Sequence, residues 1–218
     1  MTNKSYTLIF GLTADPIHKG HEQVILNSFA YAKQQAISIE RFMLIPSYAP
    51  NLIADKLQPK TAFEHRYMMC QMTSENIINK FNYPVYVSDI EKQLFYQNQQ
   101  KSYSYKTLHA IKDRHKLFVL SADHFAGRWP KFRKWFHWQD LVKENGLLIH
   151  QRPGHGINLS FIEQLKQINP NVYVVTGLPS IEVSSTQIRT KLSMQQPISS
   201  KFIATSIRNY CVDNGLYE

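Results

Sequence analysis

The chain has 218 residues, of which 43% are hydrophobic and 19% charged, and its net charge is +9. This is an ordinary globular composition, and the chain is long enough to bury a sizeable core. No apolar run approaches the roughly 20 residues that a membrane span requires. The first residues lead straight into a predicted strand without a signal peptide, so we expect a cytoplasmic protein with no membrane partner.

The positive charge predicts polyanionic partners, either nucleotide phosphates or nucleic acid. The basic residues are spread along the chain, apart from the segment at 131–134. No zinc-finger, ribonucleoprotein or basic-zipper pattern accompanies them. We therefore expect small phosphates rather than nucleic acid as partners.

The two cysteines, Cys70 and Cys211, are far apart and belong to no C-x-x-C pair. This arrangement predicts two reduced, mostly buried thiols. No metal-ligand spacing appears elsewhere, so we expect no protein-bound metal.

Apolar runs alternate with helical patterns along the whole chain. Strands are predicted at 7–10, 41–46, 85–90, 116–123, 147–150 and 172–175. Helices are predicted at 17–35, 62–79 and 104–114, then up to residue 145, at 160–168, from about 184, and at 199–214. Thr61 and Glu64 have capping-box spacing before the second helix, and the glutamine-rich stretch at 92–101 is predicted to be a surface loop.

This alternation predicts an α/β fold with a Rossmann-like, mostly parallel sheet and helices on both faces. We expect a single domain over residues 1–218, with the helical part from about residue 184 packed on the rest. In such sheets, ligands bind at the carboxyl ends of the strands, where the winding reverses. The loop after the first strand, Asp123 after the fourth, and residues 184–189 after the last all occupy such positions.

The most informative stretch lies between the first strand and the first helix. It reads Gly11-Leu12-Thr13-Ala14-Asp15-Pro16-Ile17-His18-Lys19-Gly20-His21. Gly11 allows a close backbone turn, and Pro16 fixes φ. The helix is predicted to begin near residue 17 or 18, so that its unpaired N–H groups and dipole form an anion site. His18 and His21 project from one face of the first turn, where a bound phosphate would favour their charged forms.

A second group, Ser184, Ser185, Thr186 and Arg189, opens a later helix. Serine and threonine are good N-caps, so a merely capped helix is one interpretation. A helix N-terminus with hydroxyls and a guanidinium one turn in would also make a triphosphate clamp. These residues alone leave both interpretations open.

The H-x-G-H tetrad behind its Gly-x-Thr-x-Asp-Pro turn resembles the nucleotidyltransferase superfamily, and residues 183–189 resemble its I-S-S-T-x-x-R motif. Further segments resemble the bacterial nicotinate mononucleotide adenylyltransferase family within it. They are Ser102-Tyr103-Ser104, Asp123 in place of a Gly-x-Asp aspartate, Trp135-Phe136, Arg152-Pro153-Gly154, and Gly215-Leu216-Tyr217. The resemblance covers nearly the whole chain and implies the H-x-G-H nucleotidyltransferase fold.

The resemblance implies adenylyl transfer from ATP to nicotinate mononucleotide, giving deamido-NAD and pyrophosphate in NAD biosynthesis, with Mg²⁺ carried on the ATP phosphates. Alternatives are a preference for nicotinamide mononucleotide or another phosphate acceptor, or a non-catalytic relative that binds nucleotide or RNA. The implied catalytic residues are His18, His21 and Arg189. The implied ATP-binding residues are Gly11, Thr13, Asp123, Ser185 and Thr186. The implied mononucleotide-binding residues are Tyr103, Ser104 and Trp135, with Trp135 stacked on the pyridine ring.

The sequence departs from the family pattern in several places. Leu12 and Ala14 replace a glycine and a phenylalanine, and Ser121 replaces the glycine of Gly-x-Asp. The stretch after Pro50 lacks the usual Pro-Pro-His-Lys histidine. These changes bear on substrate preference and rate more than on the fold.

Overall fold

The structure is a computed structural model that describes residues 4–50, 58–99, 101–151 and 156–218. Within these residues there are six strands and eight helices. The strands are β1 (Ser5–Leu12), β2 (Ser38–Pro46), β3 (Val85–Val87), β4 (Lys116–Ser121), β5 (Gly146–His150) and β6 (Val172–Val175). The helices are α1 (Lys19–Gln34), α2 (Phe63–Phe81), α3 (Ile90–Asn98), α4 (Ser104–Ala110), α5 (Trp138–Glu144), α6 (Leu159–Ile168), α7 (Ser185–Ser193) and α8 (Thr205–Asp213).

The strands form one sheet in the order β3-β2-β1-β4-β5-β6. Strand β1 pairs in parallel with β4, β4 with β5, and β5 with β6. The register places Ile9 opposite Phe118, and Ile149 opposite both Leu120 and Val174. Because helices separate most of these strands in sequence, parallel pairing is the outcome expected of crossover connections, and the predicted α/β fold with a parallel sheet is confirmed.

The chain divides into two compact units. Unit 1 comprises Met1–Phe10, Asn27–Met43 and Tyr103–Leu178, and unit 2 comprises Gly11–Leu26, Leu44–Ser102 and Pro179–Glu218. The core of unit 1 is built from apolar strand residues and from α6, including Leu8, Val119, Leu148, Ile149 and Phe161. The single domain expected from the sequence stays a prediction.

The core of unit 2 lies between α2 and α8. Its fully buried side chains include Met69, Cys70, Ile77, Ile207 and Cys211. The two cysteines are free, as predicted, and the Cys211 thiol lies 3.7 Å from the Met69 sulfur. Burial raises the pKa of both thiols to about 12, so they remain protonated and unreactive. No helix in the described part of the chain is long and apolar enough to cross a membrane.

Several predictions of local structure are wrong. The helix predicted at 199–214 begins only at Thr205, the helix predicted at 104–114 ends at Ala110, and the strand predicted at 85–90 ends at Val87. The predicted loop at 92–101 is helical up to residue 98, because α3 packs through side chains that composition does not reveal. The Glu91 carboxylate accepts the Tyr48 N–H, and the Phe95 ring lies 5.1 Å from the Tyr48 ring. At the start of α2, Ala62 is the N-cap residue and no side chain caps it, so Thr61 does not form the predicted capping box.

His150, at the end of β5, makes the stability of the fold dependent on pH. The ring is 5% exposed and its Nε2 lies 3.0 Å from the Ser28 hydroxyl. Burial lowers the pKa of His150 from 6.5 to about 4. Between these values the unfolded chain binds a proton that the folded chain does not, so the contribution is complete above pH 6.5 and is lost as the pH falls to about 4.

We expect His150→Gln to flatten the fall in the free energy of unfolding between pH 6.5 and 4, by an amount approaching about 3 kcal/mol at pH 4. Urea unfolding of both proteins across this pH range measures the difference. Parallel curves for the wild type and the variant would contradict the assignment.

Candidate active site

Arg66 of α2 fixes the loop that follows β1 in unit 2. The side chain is 2% exposed, and its Nη1 donates to the carbonyl oxygens of Thr13 at 2.8 Å and Ser47 at 2.7 Å. Its Nε donates to the Thr61 carbonyl oxygen at 3.0 Å. Burial lowers the pKa of the guanidinium, and the Asp15 carboxylate opposes this shift. Arg66 therefore holds three backbone carbonyl groups of unit 2 in place, a role that its position in a helical pattern does not reveal.

Asp15 is the second fixed point of this loop. It is 3% exposed, and its two carboxylate oxygens accept hydrogen bonds from the Tyr217 hydroxyl and the Lys60 N–H, each at 2.8 Å. The preceding residue, Ala14, has a φ of 54°, in the left-handed region that residues with a Cβ rarely adopt. Such a conformation persists only where its surroundings hold it, and Asp15 and Arg66 supply that restraint.

The histidine pair lies at the start of α1, as the sequence predicts. The helix begins at Lys19 rather than at residue 17 or 18, so that the His18 carbonyl accepts the N–H groups of His21 and Glu22. The rings of His18 and His21 stack, with centroids 3.7 Å apart and an interplanar angle of 21°. A Cβ at Gly20 would lie 3.0 Å from the His18 ring, which explains the glycine of the tetrad.

One ring nitrogen of His21 bonds to the backbone. The His18 N–H donates to His21 Nδ1 at 3.2 Å. In this arrangement Nε2 is the ring nitrogen that would donate to a phosphate oxygen. The expectation that a bound phosphate favours the charged forms of both rings stays a prediction.

The start of α7 contacts the same loop. Ser184 caps the helix in a capping box with Gln187, and the Ser185 hydroxyl donates to the Pro16 carbonyl oxygen at 2.9 Å. Arg189 donates from Nη1 to the Asp15 carbonyl oxygen at 2.6 Å and from Nη2 to Thr186 Oγ1 at 3.0 Å. Ser184 is therefore a helix cap, and the residues after it adjoin the loop between β1 and α1.

Unit 2 thus contains seven of the predicted site residues, on the end of β1, the following loop, the first turn of α1 and the start of α7. They are Gly11, Thr13, His18, His21, Ser185, Thr186 and Arg189. Two helix N-termini and a guanidinium adjoin this loop, an arrangement that favours anions. In the described residues, no group of three or more His, Cys, Asp or Glu side chains could hold a metal ion.

Unit 1 contains the other four predicted residues, Tyr103, Ser104, Asp123 and Trp135. Asp123 lies in the 3₁₀ turn Ala122–His124 that follows β4. The Trp135 ring lies 5.0 Å from that of His124, and its buried Nε1 has no hydrogen-bond partner among the described residues.

Tyr103 immediately precedes α4, and Ser104 is the first residue of that helix. The Tyr103 ring lies 4.8 Å from the ring of Phe136, which is partly exposed. Lys106 places its ammonium group over both rings, at 5.7 and 5.8 Å. The Arg152-Pro153-Gly154 segment and the stretch at 51–57 lie outside the described residues.

The chain is similar to known proteins over most of its length. A cytidylyltransferase-like family model matches residues 9–191. The "probable nicotinate-nucleotide adenylyltransferase" of Bacteroides fragilis is 30% identical over 200 residues, covering 89% of this chain and 86% of the relative. A protein of the same name from Desulfitobacterium hafniense is 29% identical over 216 residues, covering 96% and 94%.

Among solved structures, Plasmodium falciparum nicotinic acid mononucleotide adenylyltransferase complexed with NaAD matches with a TM-score of 0.71 and 21% identity, over 98% of both chains. The complex of that protein with APC matches with a TM-score of 0.70 over the same shares. These likenesses confirm the predicted nucleotidyltransferase fold. The chain therefore belongs to the cytidylyltransferase-like family and, within it, to the nicotinate-nucleotide adenylyltransferases.

Proposed function

We propose that the chain transfers the adenylyl group of ATP to the phosphate of nicotinate mononucleotide, giving deamido-NAD and pyrophosphate. Family membership supports the reaction. The observation that carries the assignment in this chain is the stacked His18–His21 pair, which shares a loop with Arg189 and the start of α7. This is the arrangement of N–H donors and positive charge that a triphosphate requires.

The chemistry needs no general base. The phosphate of the mononucleotide is already an anion at neutral pH, and it attacks the α-phosphorus of ATP in line while pyrophosphate leaves. Negative charge accumulates on the departing oxygens. The protein contributes by positioning the reactants and by stabilising that charge.

We assign these tasks to residues of unit 2. His21 donates through Nε2, Arg189 supplies a fixed positive charge, and the dipole of α7 favours the anion at its N-terminal end. Ser185 and Thr186 lie in the first turn of α7. The Ser185 hydroxyl would exchange its bond to the Pro16 carbonyl oxygen for one to the β- or γ-phosphate, and Thr186 would contact the same phosphates. ATP enters as its Mg²⁺ complex, in which the ion neutralises part of the phosphate charge.

We assign recognition of the remaining parts of the substrates to residues of unit 1. Asp123 accepts hydrogen bonds from the adenosine ribose, and Trp135 stacks on the pyridine ring, with Tyr103 and Ser104 beside it. The buried Nε1 of Trp135, which has no hydrogen-bond partner among the described residues, could in addition donate to an acceptor on the bound mononucleotide.

Pyrophosphate release tests the proposal directly. Purified protein is given ATP and Mg²⁺ with nicotinate mononucleotide or nicotinamide mononucleotide in parallel, and with neither as the control. We expect release with the nicotinate substrate and a higher kcat/KM for it than for the amide. Absence of release from folded protein with both substrates would refute the proposal, and a preference for the amide would replace the named acceptor.

A further inference from the structure

Tyr217, which follows α8, contacts the loop between β1 and α1. Its hydroxyl donates to Asp15 Oδ1 at 2.8 Å across 202 positions of sequence. The Tyr217 backbone has a φ of 72°, so the turn that delivers the ring is itself strained. Burial raises the pKa of this hydroxyl, which keeps it a donor at any working pH.

Asp15 connects this hydroxyl to the proposed phosphate-binding arginine. Arg189 Nη1 donates to the Asp15 carbonyl oxygen at 2.6 Å but lies 3.7 Å from its Oδ2. The second distance is longer than a hydrogen bond. The carboxylate is therefore held near the guanidinium without closing a bidentate ion pair with it.

The Tyr217 and Lys60 donors explain this separation. Each occupies one carboxylate oxygen and fixes the plane of the group. Without the Tyr217 hydroxyl, Oδ1 would lose its donor inside a buried environment, and Arg189, whose Nη1 lies 3.7 Å from Oδ2, is close enough to compensate. A tight Asp15–Arg189 pair would then withdraw the guanidinium from an incoming phosphate.

We propose that Tyr217 is a positioning residue that holds the Asp15 carboxylate away from Arg189 and so keeps the guanidinium available to the triphosphate of ATP. This inference rests on the proposed function for the identity of the ligand. It assigns a task in ATP binding to a side chain that touches no substrate itself.

The first test compares Tyr217→Phe with Tyr210→Phe. Tyr210 also belongs to unit 2 and loses a comparable hydrogen bond, at 2.9 Å to His65, but it has no bond to Asp15. We expect Tyr217→Phe to raise both the Kd of Mg·ATP, measured by calorimetry, and the KM for ATP about tenfold, the effect of one charge-assisted hydrogen bond. Tyr210→Phe should leave both within about twofold of the wild type.

The second test asks whether the effect passes through Arg189. In an Arg189→Ala background, adding Tyr217→Phe should change the Kd of Mg·ATP by less than about twofold, because the guanidinium that Tyr217 protects is gone. An equal loss in both backgrounds, or no loss in the wild-type background, would overturn the proposal. If Tyr217→Phe fails to fold, Tyr217→Met, which also lacks the hydroxyl, decides instead: an unchanged Kd refutes the inference and a raised Kd supports it.

Binding of Mg·ATP requires no adenylyl transfer, so the two proposals can fail separately. A wild-type protein that binds Mg·ATP and releases no pyrophosphate refutes the proposed reaction, while the comparison of binding constants still decides the role of Tyr217.

Discussion

Replacing His21 by alanine is expected to lower kcat for pyrophosphate release by about two to three orders of magnitude, the usual effect of removing one preorganised donor to a developing oxyanion. His21 is fixed for this task on two sides. Its Nδ1 is occupied by the His18 N–H, and its ring is stacked on that of His18. Nε2 is the nitrogen that would donate to the substrate, and the stacking fixes the plane of the ring.

The matched control is His65→Ala. This histidine also lies in unit 2, and its Nδ1 is within 2.9 Å of the Tyr210 hydroxyl, yet it belongs to no proposed contact with substrate. We expect its kcat to stay within about threefold of the wild type. Steady-state release of pyrophosphate under saturating ATP and nicotinate mononucleotide measures both variants. A His21→Ala protein that turns over as fast as the His65→Ala protein would exclude the proposed donor role.

The features of this site that the sequence predicts are those that depend on short stretches of neighbouring residues. Alternation of strands and helices predicts a parallel sheet, and the H-x-G-H tetrad predicts two imidazoles on one face of a helix start. Residues 184–189 predict a capped helix with an arginine one turn in, and Ser184 and Arg189 occupy those places. Each of these inferences needs only residues that are near one another in the chain.

The hydrogen bonds that fix the site were not predictable, because they join residues that are far apart in the chain. Arg66 binds Thr13 across 53 positions, and Tyr217 binds Asp15 across 202. In sequence, Arg66 is one basic residue in an amphipathic helix, a place where arginine is normally solvated. The error at α3 has the same origin, because the buried contact of Glu91 with the Tyr48 N–H outweighs a glutamine-rich composition.

The hydrogen bond between the two histidines shows a further limit. Sequence spacing predicts that His18 and His21 share a face, and stacked rings confirm it. The spacing says nothing about which nitrogen meets which group, and the structure shows that the backbone N–H of His18 meets Nδ1 of His21. The charge of the two rings beside a bound phosphate stays a prediction.

Arg66 should be the most important single side chain for the stability of unit 2. Arg66→Met keeps much of the apolar stem but leaves the carbonyl oxygens of Thr13, Ser47 and Thr61 without the donors that they now have. We expect the free energy of unfolding to fall by about 3–5 kcal/mol, the range seen when a buried charged network loses one partner. Urea titration followed by circular dichroism measures this loss.

A second variant separates the contribution of the Arg66 hydrogen bonds from that of its charge, and a third serves as the control. Arg66→Lys retains the charge, but one ammonium group cannot reproduce a planar fork that meets three carbonyl oxygens, so most of the loss should remain. Arg208→Met is the matched control, because this arginine is exposed and hydrogen-bonds only to its neighbour Asn209 among the contacts seen in the described residues. Its unfolding free energy should stay within about 0.5 kcal/mol of the wild type. An Arg66→Met protein as stable as Arg208→Met would contradict this role. The loop would then be held by Asp15 and its partners alone, and the hydrogen bonds of Arg66 would not contribute to stability.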